Sequence, residues 1–309
     1  MTAGPALEIL EPGLQLTVQD TGRLDFEHEG VPRAGAADHR SLLSASFLAA
    51  TPEGAALEAT LLGPTFRALR DLRIGLAGAD LAPVAQPGNR PLAVGYAHHL
   101  RAGEVLECTE AGDPERGCRL YIAVEGGIDV PVVLESRSTS LVGGFGGFEG
   151  RALRSGDVLS TLAAPDDLPD AVRAIGSMDV DAHGWWKRPI RVMPGPDARA
   201  LGGEARLAAL LDASWTVSYS SDRRGLRLDS EVEVPELLVA SADRPSFGVV
   251  PGAIQLTPSG QPIVLMPDGG VTGGYPVIGV VVAGDRSALG QLAPGAPIRF
   301  ERAPAEAGW

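Results

Sequence analysis

Lysine is all but missing from this chain of 309 residues. Lys187 is the only one, and the other basic side chains are arginines scattered along the sequence. With a formal net charge of −13 there is no basic stripe of the kind a nucleic-acid partner requires, so none is expected. The sole lysine stands in Trp185-Trp186-Lys187-Arg188, which excludes the Gly-Lys-Ser/Thr of a phosphate-binding P-loop. Cysteine is scarce too. Cys108 and Cys118 cannot make a zinc site unaided, and they flank the turn AGDPERG. Free thiols are the expected state, with a cross-strand disulfide as the alternative. No apolar run approaches the roughly 20 residues of a membrane-spanning helix. MTAGPALEIL has neither the basic start nor the long apolar core of a signal peptide. The expectation is a soluble, cytoplasmic protein with no membrane partner. The histidines lack the H-E-x-x-H spacing and no G-x-S-x-G is present, so neither a metal nor an esterase-type serine is expected.

Glycine (40) and proline (25) are plentiful, and the hydrophobic fraction is 44%. That combination favours many short strands joined by turns around a sizeable core. LQLTVQ alternates as a half-buried strand does, and LYIAV (120–124) is apolar throughout, as a strand buried on both faces should be. GEVLECTEAGDPERGCRLYIAV reads as a hairpin. Asp38 is placed to cap a helix over HRSLLSASFLAA, which stops before Pro52, and a second short helix is expected around 198–213. The segment 162–180 is rich in Pro and Asp. The fold class expected is mainly β, two barrel-like lobes with a few short helices. The lobes would run over 1–165 and 188–309, with a linker at 166–187.

Three stretches could carry chemistry. The first is the loop from Asp268 to Tyr275 (DGGVTGGY), between the strands IVLM and VIGVVV. Its acid, Thr272 and Tyr275, with Gln255 and Gln291 nearby in sequence, suit hydrogen bonding to an amide-like or ureido substrate. Asp268 would be a general base, or a turn cap. The second is SRSTS (136–140), where Arg137 and its hydroxyl neighbours could clamp a carboxylate or phosphate, or form a solvated turn. The third is SDRRGLRL (221–228), with Asp222 and Arg223 read as a local pair. GGFGGFEG (143–150) lacks the G-x-G-x-x-G spacing and opens no helix, so it reads as a tight corner.

LTVQDTGR (16–23), GVPRAGAAD (30–38), AVEGGIDVPVVLESRST (123–139), SDRRGLRL, GAIQLTPSGQPIVL (252–265) and DGGVTGGYPVIG (268–279) occur in order. Together they resemble the biotin-dependent carboxyltransferase-type family. That family includes the C subunit of 5-oxoprolinase, the carboxyltransferase region of urea carboxylase (allophanate hydrolase subunit 2-like), and an antagonist of a sporulation kinase inhibitor. Here Gly270 and Val271 stand where the family carries Gln-Thr. The resemblance implies two cyclophilin-like β-barrels. It implies an ATP-dependent hydrolase component opening 5-oxoproline to glutamate, with ATP shared with partner subunits and no biotin on this chain. The implied partners are a kinase-inhibitor-like B subunit, together with a lactam-utilisation A subunit. On this reading Asp268, Thr272 and Tyr275 are catalytic, and Gln255, Arg137, Ser138, Gln291, Gly273 and Gly274 line the substrate site. A biotin-dependent carboxyltransferase and a non-catalytic kinase-inhibitor antagonist are the alternatives.

Overall fold

The structure, a computed structural model, describes residues 3–164, 184–199, 202–239 and 245–304. Strands dominate, as the abundance of turn residues requires. The chain forms two compact units, one of residues 1–24 with 34–184, the other of 25–33 with 185–309. The segment read as a linker lies mostly outside the described residues. At its end Trp185–Lys187 form a 3-10 turn with both indoles buried.

The N-terminal unit is built from a six-stranded and a five-stranded antiparallel sheet. Residues from both sheets share one core, among them Leu7, Ile9 and Phe66 from the larger sheet and Leu57, Leu120 and Ile122 from the smaller. The central strand of the smaller sheet, Arg119–Val124, is buried along its whole length. Alternation divides its side chains. Leu120, Ile122 and Val124 enter the shared core, while Tyr121 and Ala123 pack with Leu42 and Ala45 of the helix His39–Leu48. That helix presses on the strand Leu72–Gly78 so closely that a Cβ on Gly75 would sit 2.1 Å from Ala45 O.

The expected hairpin is not formed. Val105–Cys108 pairs within the six-stranded sheet and Arg119–Val124 within the five-stranded one. Each strand finds long-range partners instead. The polar turn closes on itself, Gly117 N–H donating to Asp113 O at 3.0 Å, and carries the chain between sheets. Both cysteines are free, as expected.

The C-terminal unit is built on an eight-stranded sheet, with a separate two-stranded ribbon beside it. The strands at the two ends of the larger sheet in pairing order, Pro297–Ile298 and Phe300–Arg302, are consecutive in sequence, so that sheet is a nearly closed barrel. Phe300–Arg302 lies parallel to Ile190–Pro194. The helices Gly203–Asp212 and Arg286–Leu289 belong to this unit. No described helix is long and apolar enough to cross a membrane.

Candidate functional site

The barrel strands Pro262–Leu265 and Val277–Val281 both pair with Ala253–Leu256, and the loop between them carries the 268–275 motif. The loop's path is fixed by backbone bonds to the segment 223–224. Asp268 N–H donates to Arg223 O and Met266 N–H to Arg224 O, each at 3.0 Å. Gly269 is needed here because a Cβ would lie 2.8 Å from Arg224 O. Beyond it, Thr272–Gly273 forms a two-stranded ribbon with Phe247–Gly248.

Asp268 is 2% exposed and meets Arg223, 4% exposed, in a bidentate ion pair. Arg223 Nε donates to Oδ2 at 2.9 Å and Nη2 to Oδ1 at 2.8 Å. The local pair expected for Arg223 is made instead by its neighbour, since Asp222 accepts from Arg224 N and Nε, both at 2.8 Å. Consecutive side chains diverge, so Arg224 stays outside while Arg223 reaches 45 residues along the chain. Both carboxylate oxygens of Asp268 are held by Arg223.

Gln255, on the strand Ala253–Leu256, is 6% exposed, and its Nε2 is buried without a hydrogen-bond partner. The loop comes to it at Gly273, where a Cβ would fall 2.6 Å from that nitrogen. A β-bulge beside Gln255, where the register against Val277–Val281 shifts, accompanies the irregularity. Thr272 and Tyr275 are exposed and Gly274 half-buried. Asp268, Gln255, Thr272, Gly273, Gly274 and Tyr275 therefore belong to one loop and the strand beneath it. The arrangement offers a buried amide donor, an exposed hydroxyl and an exposed phenol beside a locked ion pair. Gln291 is fully buried in the turn after Arg286–Leu289.

Arg137 and Ser138 belong to the N-terminal unit. Their hydroxyl cluster does clamp a carboxylate, but it is the protein's own Asp20. Ser136 Oγ donates to Asp20 Oδ1 at 2.6 Å, Arg137 N–H to Oδ2 at 2.5 Å, and Ser138 Oγ to Oδ1. Ser138 is fully buried, and its carbonyl accepts from Arg23 Nη2 at 2.5 Å. The Arg23 guanidinium also stacks on Phe145, 4.8 Å from the ring centroid, which gives the glycine-rich corner 143–150 its packing partner.

Sequence reasoning passed over a buried polar network in the same unit. Tyr121 OH donates to Glu58 Oε2 at 2.7 Å and accepts from Asp38 N–H at 2.8 Å. Glu58 also accepts from Ala37 N–H at 2.9 Å and faces Arg119 Nε at 3.4 Å. Asp38 caps the helix, as expected, accepting from Ser41 N–H at 3.0 Å. Burial first, then the charges of Glu58 and Asp38, push the Tyr121 phenol well above its ordinary value. The signal available was a lone glutamate inside the apolar run ALEAT.

Comparison with known proteins places these features. The model of the family described as carboxyltransferase domain, subdomains A and B, matches residues 29–302. The C subunit of 5-oxoprolinase from Escherichia coli is 36% identical over 297 residues, covering 95% of this chain and 90% of that protein. The urea amidolyase of Lachancea kluyveri is 31% identical, covering 96% of this chain but 17% of its own length. Among solved structures, TTHA0988 superposes with a TM-score of 0.79 at 31% identity, over 96% of this chain and 55% of that one. Urea carboxylase of Kluyveromyces lactis superposes with a TM-score of 0.78 at 28% identity, over 97% of this chain and 27% of that one.

Proposed function

This chain belongs to the carboxyltransferase-domain family, subdomains A and B, and from that premise we propose that it acts as the C subunit of an ATP-dependent 5-oxoprolinase. The observation that carries the reading is the 36% identity to the corresponding E. coli 5-oxoprolinase chain, which spans nearly the whole of both proteins. An unstrained lactam is a poor electrophile. Moving the terminal phosphoryl group of ATP onto the lactam oxygen, with release of ADP, activates the ring carbon. Water adds there, the C–N bond breaks with its electron pair and a proton going to nitrogen, and a second water hydrolyses the resulting acyl phosphate to glutamate and phosphate. The nucleotide and part of the site are assigned to the partners, a kinase-inhibitor-like B subunit, together with a lactam-utilisation A subunit.

Within this chain the Asp268 loop is the proposed contribution. The Gln255 amide donates to a substrate carbonyl, and Thr272 and Tyr275 supply hydroxyls, with Gly273 and Gly274 allowing close approach. Asp268 acts through Arg223 as a positioning residue.

The test is co-expression with the two partner chains, purification of the complex, and assay of glutamate released from 5-oxoproline with and without ATP. ATP-dependent release supports the reading; a verified complex that releases no glutamate sinks it. The likeness to K. lactis urea carboxylase favours a second reading, carboxyl transfer from a biotinyl group carried on another chain. Carboxylation of urea by this chain with such a carrier would select it. A complex with a kinase-inhibitor-like protein that turns over neither substrate would mark a binding antagonist.

A further inference from the structure

We infer that the N-terminal unit holds a carboxylate-binding site built on Arg137. A cavity of about 400 Å³ lies there, within the size range of small-molecule sites. Its walls include Pro52, Ile128, Leu162 and Ala163, with Glu53 and Arg137 as its charged members.

The aim of Arg137 follows from its neighbours. Ser136 and Ser138 both turn their hydroxyls onto Asp20, and the Arg137 N–H is tied to the same carboxylate. The Arg137 side chain lines the cavity, while its own N–H and the two serine hydroxyls serve Asp20. Asp20 is occupied by hydroxyls and backbone N–H groups, Gly22 N among them at 2.8 Å, so it does not neutralise Arg137, and Glu53 lines the same cavity without an ion pair to it. Arg137 is left half-buried, its Nε is buried without a hydrogen bond, and among the described residues its side chain has no ion-pair partner. A buried guanidinium N–H without an acceptor is costly unless a ligand supplies one.

The ligand's class follows from the count of charges and the nature of the walls. Arg137 is the one cation lining the cavity among the described residues. One planar fork matches one carboxylate. A phosphate dianion would bring more charge than a single guanidinium answers, with Glu53 adding repulsion. The lining is mixed, and its apolar part (Pro52, Ile128, Leu162 and Ala163) can take a short hydrocarbon body behind the carboxylate. The occupant is therefore a small monocarboxylate.

Calorimetric titration of the full chain with butyrate, and separately with inorganic phosphate, tests this. Butyrate is no lactam, so the result is independent of the oxoprolinase reading. Wild-type protein should bind butyrate more tightly than phosphate. Arg137→Met should weaken butyrate at least tenfold while Arg137→Lys weakens it less, because the ammonium lacks the fork. Glu53→Gln should tighten it. Ala163→Phe, at an exposed wall position, should block the cavity with Arg137 intact. Circular dichroism of each variant confirms folding. Absence of butyrate binding, tighter binding of phosphate, or unchanged affinity in both Arg137→Met and Ala163→Phe overturns the inference.

Discussion

Arg223 and Asp268 meet as a planar fork on a carboxylate, joined by two charge-assisted hydrogen bonds of 2.9 and 2.8 Å, with neither side chain more than 4% exposed. Breaking a buried pair by removing one member leaves the other charge unanswered, at a cost of about 3–5 kcal/mol. Asp268→Ala should therefore lower the urea unfolding midpoint sharply as well as impair activity. The double variant Arg223→Met/Asp268→Leu should recover most of the stability, since apolar replacement of a buried pair is often neutral. Recovery of stability without activity in the double variant would separate the loop's chemistry from its folding role.

Gln255 gives the converse expectation. Its buried Nε2 has no partner to lose, so Gln255→Met should leave stability within about 1 kcal/mol of wild type. In the assembled enzyme the same change should raise KM for 5-oxoproline. Unaltered kinetics would remove Gln255 from the substrate site.

Tyr121→Phe removes one hydroxyl that serves both Glu58 and the Asp38 N–H. Each is left short of a buried partner, and a loss of about 1–3 kcal/mol is expected by chemical denaturation. A loss well under 1 kcal/mol would mean the network relaxes onto other donors.

Acid sensitivity has a defined source in the N-terminal unit. Arg151 donates to both oxygens of Asp157, at 2.8 and 3.0 Å. That hydrogen bonding, opposed by burial and helped by Arg154 N–H and the charges of Arg151 and Arg154, holds the Asp157 carboxyl below its usual range. A depressed folded pKa contributes stability above the unfolded value and loses it as pH falls through the folded one. Unfolding midpoints of wild type should therefore fall as pH drops below about 4, and Asp157→Asn should flatten that part of the profile. Parallel profiles would assign the acid sensitivity elsewhere.

The two thiols should be sluggish. Burial, then the charges of Asp80 and Glu107, push Cys108 up to about 12, and burial raises Cys118 as well. At pH 8 the native protein should react with a thiol reagent far more slowly than the urea-unfolded chain.

Much of the fold was legible because it rests on local patterns. The all-apolar LYIAV announced a strand covered on both faces, and Asp38 announced a helix start. The supposed hairpin across 104–124 failed because a convincing turn says only that the chain reverses, while partners are chosen by distant strands. The Asp268 loop was visible from its glycines, yet the role of its acid was not. Asp222 and Arg223 are adjacent in sequence, and nothing local shows that Arg223 instead crosses to Asp268. The same holds for SRSTS, whose hydroxyls looked outward until Asp20 was seen to occupy them.

The parallel contact of Phe300–Arg302 with Ile190–Pro194 sets a kinetic condition on the C-terminal unit. Its partners lie about 110 residues apart, so the entropy of closing that long loop falls due before the last seam can form. Until it does, Ile190–Pro194 presents an unpaired strand edge beside a half-assembled barrel, a template on which a second chain could pair. Refolding yield should consequently fall as protein concentration rises, even where the finished barrel is stable.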